Sequence, residues 1–370
     1  MKHLRKFNSV TAMNTALASA TINILGLAYD SSTPVMRIKS GGSPVPPAPD
    51  PTEPFYIDVR GAVTLAATSG LQMSTDKTNW TDTTATTLSS GKTYFRVATG
   101  QSTPLQPNWT EDSNSDYDIG GNINSLVNTS FENDTNCYAF FDDYSGVGFF
   151  QYKAKLKSAG NLILPATTLD WGCYYNMFNG CTALTTAPAL PAETLAESCY
   201  QYMFQDCTAL TTAPALPATT LDVACYSSMF QGCSALTTAP ALPATTLAND
   251  CYASMFAGCT ALTTAPALPA TTMVQNCYAY MFQSCTALTT APELPATTLF
   301  WGCYSQMFSG CTNLNFIKCL ATDISATNCT KNWVKDVTAS GTFVKNPNMS
   351  SWTTDTSGIP SGWTVQDASE

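Results

Sequence analysis

Charge is what this chain has least of. Of 370 residues, 16 are Lys or Arg and 26 are Asp or Glu, together 11%, less than half of the usual share of about 25%. Thr, Ala, Ser and Asn fill the gap. The net charge of −10 and the scattered cations exclude a nucleic-acid binder, which needs clustered Lys and Arg to displace counterions from phosphate. Histidine is also nearly absent, His3 being the single one. Without an imidazole to place in a site, most Ser-His, Cys-His and zinc chemistry is removed. No apolar run approaches the roughly 20 residues that cross a bilayer, so no membrane insertion is expected. Neither enzymatic activity nor a metal or cofactor is expected. A convincing export signal is missing too. The basic Met1–Lys6 is followed by FNSVTAMNTALASATINILG, whose apolar run is broken by Asn8, Ser9, Thr11, Asn14 and Thr15.

Cysteine, by contrast, is abundant, with 15 residues, and its spacing sets the organisation. Cys173, Cys199, Cys225, Cys251, Cys277, Cys303 and Cys329 fall 26 residues apart; Cys181, Cys207, Cys233, Cys259, Cys285 and Cys311 keep the same period. One unit, Cys251–Asn276, reads CYASMFAGCTALTTAPALPATTMVQN. A further unit begins at Cys329 with Trp333 and Val334 in the Met-Phe columns. Such units bury their apolar face only by stacking. Cys251, Met255 and Cys259, with Tyr252 and Phe256 beside them, predict a helical stripe. Leu262, Leu268 and Met273, interrupted by Pro266 and Pro269, predict an extended half with strands of about three residues. The expected fold class is an α/β repeat solenoid of 26-residue, leucine-rich-repeat-like coils, preceded by a small all-β sandwich and a short N-terminal anchor.

Composition divides the chain further. Residues 1–40 hold an amphipathic stretch, Val10–Ala18, and two strands, Ile22–Ala28 and Val35–Lys39. Residues 41–54 form a Pro-rich linker of polyproline type. The alternations FYIDV, VTLAA, LQMS and YFRVA predict the small β-sandwich over 55–115. Residues 116–165 are a connecting segment and N-terminal cap containing NCYAFF at Asn136–Phe141, 166–328 the solenoid, and 329–370 a C-terminal cap.

The MFxGCxxL core with its LTTAPALPATTL tail resembles the BspA-like leucine-rich repeats of bacterial surface proteins, in the form found in Bacteroides and in their crAss-like phages. Met177, Phe178, Gly180, Cys181 and Leu184 carry the match, with their partners at each 26-residue step. The closing run Ile317–Thr322, Asn332-Trp333 and Gly358–Val365 is similar to the end of that group, as is Ser74–Val97. The resemblance implies a non-enzymatic binding solenoid displayed on a surface. With a poor export signal, the layout fits a phage virion structural protein of head- or tail-fibre type, located on the virion surface after assembly in the bacterial cytoplasm. The alternative is a BspA-like adhesin on the bacterial cell surface.

On a helix, cysteines eight residues apart lie about 12 Å from one another, too far for a disulfide within a unit. Ladders of buried free thiols, disulfides between adjacent units and, lacking any zinc spacing, metal sites are the remaining readings. Cys137 and Cys319 stand out of register and are expected to be free. Lys153, Lys155 and Lys157 alternate as on the solvated face of a strand.

Between Asn161 and Cys311 there is no Lys or Arg, against seven acids, so this stretch cannot grip anions. Near-identical coils need vary only where side chains point outward. One variable column is Trp171, Glu197, Val223, Asn249, Gln275, Trp301; its neighbour is Asp170, Ala196, Asp222, Ala248, Val274, Phe300. Exposed Trp with Asn, Gln and Asp nearby suits neutral sugars, so Trp171, Glu197, Asn249, Gln275, Trp301 and Phe300 are the candidate receptor-binding residues for a host-surface glycan or protein. Capping of the first and last full coils by Trp171 and Trp301 is the rival account, and an inert array kept soluble by its Thr pairs is another. Glu193 and Glu197 imply no catalytic pocket. Lys2, Arg5, Lys6, Phe7, Arg37 and Lys39 are the candidate anchor to other virion proteins, with homo-oligomerisation adding avidity.

Overall fold

The computed structural model describes residues 48–100, 103–113, 115–140, 146–350 and 352–369, together with three strands upstream. It divides into two compact units, Met1–Ala48 and Pro49–Glu370. In the first, β1 (Arg5–Lys6), β2 (Asn23–Ala28) and β3 (Val35–Lys39) make an antiparallel sheet in the order β1-β3-β2. Val10–Ala18 lies outside the described residues, as does the 41–47 part of the linker.

The second unit opens with β4 (Tyr56–Val59), β5 (Val63–Leu65), β6 (Leu71–Ser74), β7 (Thr81–Asp82), β8 (Thr86–Leu88), β9 (Gly91–Val97), β10 (Trp109–Glu111), β11 (Tyr117–Asn122) and β12 (Leu156–Ile163). A six-stranded sheet, β12-β11-β4-β9-β6-β7, lies with a three-stranded one, β10-β5-β8. The alternation of β4 and β9 puts Phe55, Ile57, Val59, Phe95 and Val97 into the core with Trp109, Tyr117 and Ile119. Residues 49–54 are part of this packing: Asn122 N donates to Glu53 O at 2.8 Å, and Pro54 bridges Asn122. β12 is the joint. It pairs in parallel with β11, and it also meets the first coil, where Ala159 N donates to Thr186 O and Thr185 N to Lys157 O, both at 2.9 Å.

The α/β expectation fails in the coils. Among the described residues the helices are two short 3-10 turns, Ile123–Leu126 and Phe131–Asn133, and the Cys-Met-Cys stripe is a train of overlapping turns. In the coil that begins at Ala224, Cys225, Ser227, Met229, Gln231 and Cys233 donate their N–H groups three residues back along the chain, to the carbonyls of Asp222, Ala224, Tyr226, Ser228 and Phe230. The residues between them donate to the next coil instead: Tyr226 to Cys251 O at 3.1 Å, Ser228 to Ala253 O at 2.8 Å, Phe230 to Met255 O at 2.9 Å and Gly232 to Ala257 O at 2.8 Å. Every fourth residue has left-handed backbone, here Ala224, Ser228 and Gly232 at φ 51°, 54° and 74°. The side-chain period is therefore four residues rather than 3.6. It produces the apolar spacing of a helix without the i to i−4 ladder. The result is an all-β assembly of small open sheets joined to a helix-free stack of coils.

Turn geometry aims Cys, Tyr, Met and Phe inward at every coil. Tyr174, Tyr200, Tyr226, Tyr252, Tyr278 and Tyr304 stack at ring spacings of 5.7–6.2 Å. Phe178, Phe204, Phe230, Phe256, Phe282 and Phe308 do so at 5.5–5.8 Å. Each contact adds about 0.5–1.5 kcal/mol to the burial of its rings. The second-column thiols donate to the preceding coil, Cys233 Sγ to Phe204 O and Cys259 Sγ to Phe230 O at 3.1 Å.

Both ladders are closed by aromatics. At the start Phe140 stacks on Tyr174 and Phe150 on Phe178, with Phe55 of the β module on Phe150. At the end Trp333, substituting for the Met of earlier coils, stacks on Tyr304, touches Phe308 and is covered by Trp352. Its indole Nε1 donates to Gly358 O at 2.8 Å. A parallel sheet of β13 (Phe316–Cys319), β14 (Thr342–Lys345) and β15 (Thr364–Asp367) finishes the chain.

Candidate functional site

The variable column forms a continuous outward row, because the turns hold each member against its neighbour. Gly172 N donates to Glu197 O, Ser198 N to Val223 O, Ala224 N to Asn249 O, Asp250 N to Gln275 O and Asn276 N to Trp301 O, each at 3.0 Å. Consecutive members thus differ by one coil. Trp171 is 55% exposed and Trp301 47%; Glu197, Val223 and Asn249 are exposed, and Gln275 is half-buried. Phe300, in the neighbouring column, is 52% exposed. Carboxylates set the local backbone, Asp170 Oδ1 accepting from Trp171 N and Asp222 Oδ1 from Val223 N, both at 2.7 Å.

The ends of the Tyr and Phe ladders fall to Phe140, Phe150 and Trp333. Two neighbouring columns, largely buried or half-buried, carry a feature not anticipated from the sequence. Four and eight residues beyond the row lie Tyr175, which meets Tyr202 edge-on at 5.6 Å, and an amide ladder in which Asn179 Nδ2 donates to Gln205 Oε1 at 2.8 Å and Gln205 Nε2 to Gln231 Oε1 at 3.4 Å. Both columns also vary between units, which is the signal that would have found them. The same two columns end in the exposed Lys331 and Lys335 of the closing coil, so the acids of the stack meet cations at that end.

The thiols offer no chemistry. Thirteen cysteines are free and buried, and burial pushes their thiols up, to about 12 at Cys199, Cys251 and Cys277. A thiol that stays protonated is neither nucleophile nor ligand. Among the described residues no group of three His, Cys, Asp or Glu is placed to hold a metal ion. Cys137 departs from its expected freedom and is bonded to Cys173 with Cα atoms 6.5 Å apart. Residues 136–140 fold back along the first coil, where Phe140 N donates to Cys173 O at 3.0 Å, bringing Cys137 onto the first cysteine column. Cys319 is free and buried.

The lysine alternation is likewise not a strand face. Lys153 precedes β12, and its ammonium sits 4.5 Å over the Trp109 ring while donating to Trp109 O at 2.8 Å. Burial pulls its pKa down, with Glu111 opposing. Of the candidate anchor residues, Arg5 and Lys6 lie on β1, opposite Met36 and Val35, and Arg37 and Lys39 lie on β3. Lys2 and Phe7 are outside the described residues.

Comparison with protein-family models, curated proteins and solved structures finds no match for this chain.

Proposed function

We propose that the chain is a non-enzymatic virion fibre protein whose coil stack presents the Trp171–Trp301 row to an uncharged glycan, or a protein, of the host surface. The observation that carries this reading is the half-exposed pair Phe300 and Trp301 on a stretch, 161–311, that has acids and no Lys or Arg. Exposed aromatic faces suit stacking on a neutral ligand, and the acids disfavour anions. Residues 1–40 supply attachment to other virion proteins, several copies per site adding avidity. The unpaired thiols support assembly in a reducing compartment.

A second reading, the bacterial surface adhesin, is favoured by one observation, the Cys137–Cys173 bond, which persists in oxidising surroundings. Deleting residues 1–40 separates the two. A fibre protein so shortened folds and no longer co-purifies with virions. Normal incorporation of the shortened chain would place attachment elsewhere, and absence of the full chain from virions would leave the adhesin. For the row, Phe300→Ala with Trp301→Ala should abolish adsorption of the purified protein to host cells while leaving its thermal unfolding unchanged.

A further inference from the structure

We propose that the Cys137–Cys173 bond is a redox clasp. The chain folds and stacks with every thiol reduced, and in oxidising surroundings a disulfide-bearing small molecule such as oxidised glutathione closes this one pair, locking the cap over the first coil. The clasp serves the fibre and the adhesin readings alike, because it needs only a passage from reducing to oxidising surroundings.

Three observations lead there. The first is access. The thirteen free cysteines and Cys173 are buried, whereas Cys137 is half-buried. A reagent in solvent therefore meets one sulfur, and the thiol ladders behind it stay out of reach. The second is a division of roles between the two sulfurs. Asp170 N donates to Cys137 Sγ at 3.4 Å, a contact that favours a thiolate there, and the thiolate is the attacking form. Cys173 Sγ lies 3.3 Å from Tyr138 O, an acceptor that suits a protonated thiol. The third is what the bond holds. Phe140 closes the tyrosine ladder, its ring stacked on Tyr174 at 5.9 Å and its N–H donating to Cys173 O at 3.0 Å. The other tether of residues 136–140 lies upstream, where the Asp134 carboxylate accepts from Asn136 N and Tyr138 Oη, and Asn124 Nδ2 donates to Asp134 O. The bond joins positions 36 residues apart, so closing it removes much of the freedom with which the cap could lift from the stack.

The exchange balances in two steps. The Cys137 thiolate attacks one sulfur of the glutathione disulfide, forming a mixed disulfide and expelling a glutathione thiolate. That thiolate takes the proton of Cys173, whose sulfur then attacks Cys137 Sγ and expels the second glutathione. The second thiolate recovers from water the proton that Cys137 had given up. Two protein thiols are oxidised, and one small-molecule disulfide is reduced to two thiols.

The full chain, purified under reductant and then freed of it, would be exposed to oxidised glutathione. It would be alkylated with one reagent before unfolding and another after, and mapped by mass spectrometry. Cys137 and Cys173 should be recovered as a single cross-link, with the thirteen other cysteines carrying only the second reagent. Cys173→Ser, or Cys173→Ala should the serine variant not fold, should stop with glutathione on Cys137, whereas Cys137→Ser should take up none. Amide exchange reads the mechanical effect. Phe140 N–H should exchange at least about tenfold more slowly in the oxidised than in the reduced chain, with Tyr226 and Phe230 of the interior coils unchanged. Failure of the folded chain to form the cross-link, a different pairing, or glutathione on a ladder cysteine would overturn the clasp. A cross-link that leaves Phe140 exchange unaltered would overturn it too, since the bond would then lock nothing.

Discussion

Each coil has two unlike halves. In the turn-built half, alternate amides close turns and the remainder bond the next coil at 2.7–3.1 Å, as Gly258 to Gln283 O and Tyr226 to Cys251 O do. In the proline half the backbone bonds between internal coils are sparse and long, as at Thr263 N to Thr237 O, 3.4 Å, and Leu221 N to Thr246 O, 3.3 Å, and shorten only at the ends of the stack, as at Thr185 N to Lys157 O and Ala291 N to Phe316 O, both 2.9 Å. Pro266 and Pro269 have no N–H to give. Aromatic ladders and thiols belong to the first half, whereas the second buries single Leu and Ala columns under exposed Thr. Cohesion along the stack is thus carried on one side, and the variable row lies on that same side. A ligand on the proposed row would meet backbone that is held firmly, which lowers the ordering cost of binding.

Alkali should break the turn half most severely. The buried thiols are held above their ordinary value of 9.0, chiefly by burial. Below pH 9 their contribution is complete. Above it the unfolded chain ionises while the folded chain stays protonated, so stability falls by about 1.4 kcal/mol per pH unit for each fully buried thiol. The buried tyrosines, also raised by burial, add to the loss above pH 10. Thermal unfolding followed under reductant should drop steeply between pH 9 and 10, and a midpoint at pH 10 equal to that at pH 7 would refute burial of the thiols. Next in size, Phe230→Ala should cost about 3–5 kcal/mol and loosen the flanking coils. Thr238→Ala, in the proline half of the same coil, should stay within about 0.5 kcal/mol. Equal effects in denaturant titrations would erase the distinction between the halves.

Backbone handedness gives a smaller and cleaner contrast. A Cβ on Gly258 would meet nothing closer than 3.6 Å, so its φ of +75° is the whole obstacle. Gly258→Ala should cost about 1–2 kcal/mol, while Ala224→Gly, at φ 51°, should gain up to about 1 kcal/mol. Opposite signs in matched denaturant titrations would confirm the left-handed register. Least perturbing of all is amide exchange. Tyr226, Ser228, Phe230 and Gly232 should exchange far more slowly than Thr237 and Thr238, and comparable rates would mean that both halves open together.

How far the sequence could be read follows the same division. The 26-residue period, the buried Cys, Tyr, Met, Phe and Leu columns and the strands at Val35–Lys39 and Leu71–Ser74 were legible, because burial leaves an apolar imprint whatever the backbone does. Backbone type was not. Cys251, Met255 and Cys259 satisfy a helical template, and a turn train with a left-handed residue every fourth place produces the same spacing. The distinguishing signal stood one column earlier, where Asn276 and Ser284, Gly302 and Gly310, or Asp250 and Gly258 precede each cysteine. Residues of these types tolerate positive φ and are poor helix formers. The exposed row was legible through its variability. The fold-back of Asn136–Phe140 onto Cys173 was not, since it depends on a tertiary register that no local pattern encodes.

The tyrosine ladder has an optical consequence. Six phenol rings within 6.2 Å of their neighbours, with Tyr304 6.3 Å from Trp333, form a one-dimensional antenna. Light absorbed by any of them hops from ring to ring and is trapped at the indole, whose absorption lies lower in energy. The folded stack should therefore emit little tyrosine fluorescence, and its excitation spectrum should show tyrosine absorbance feeding tryptophan emission. Peeling the C-terminal cap away would interrupt the transfer at Trp333 before any coil had opened, giving the molecule its own reporter for the order in which its two ends let go.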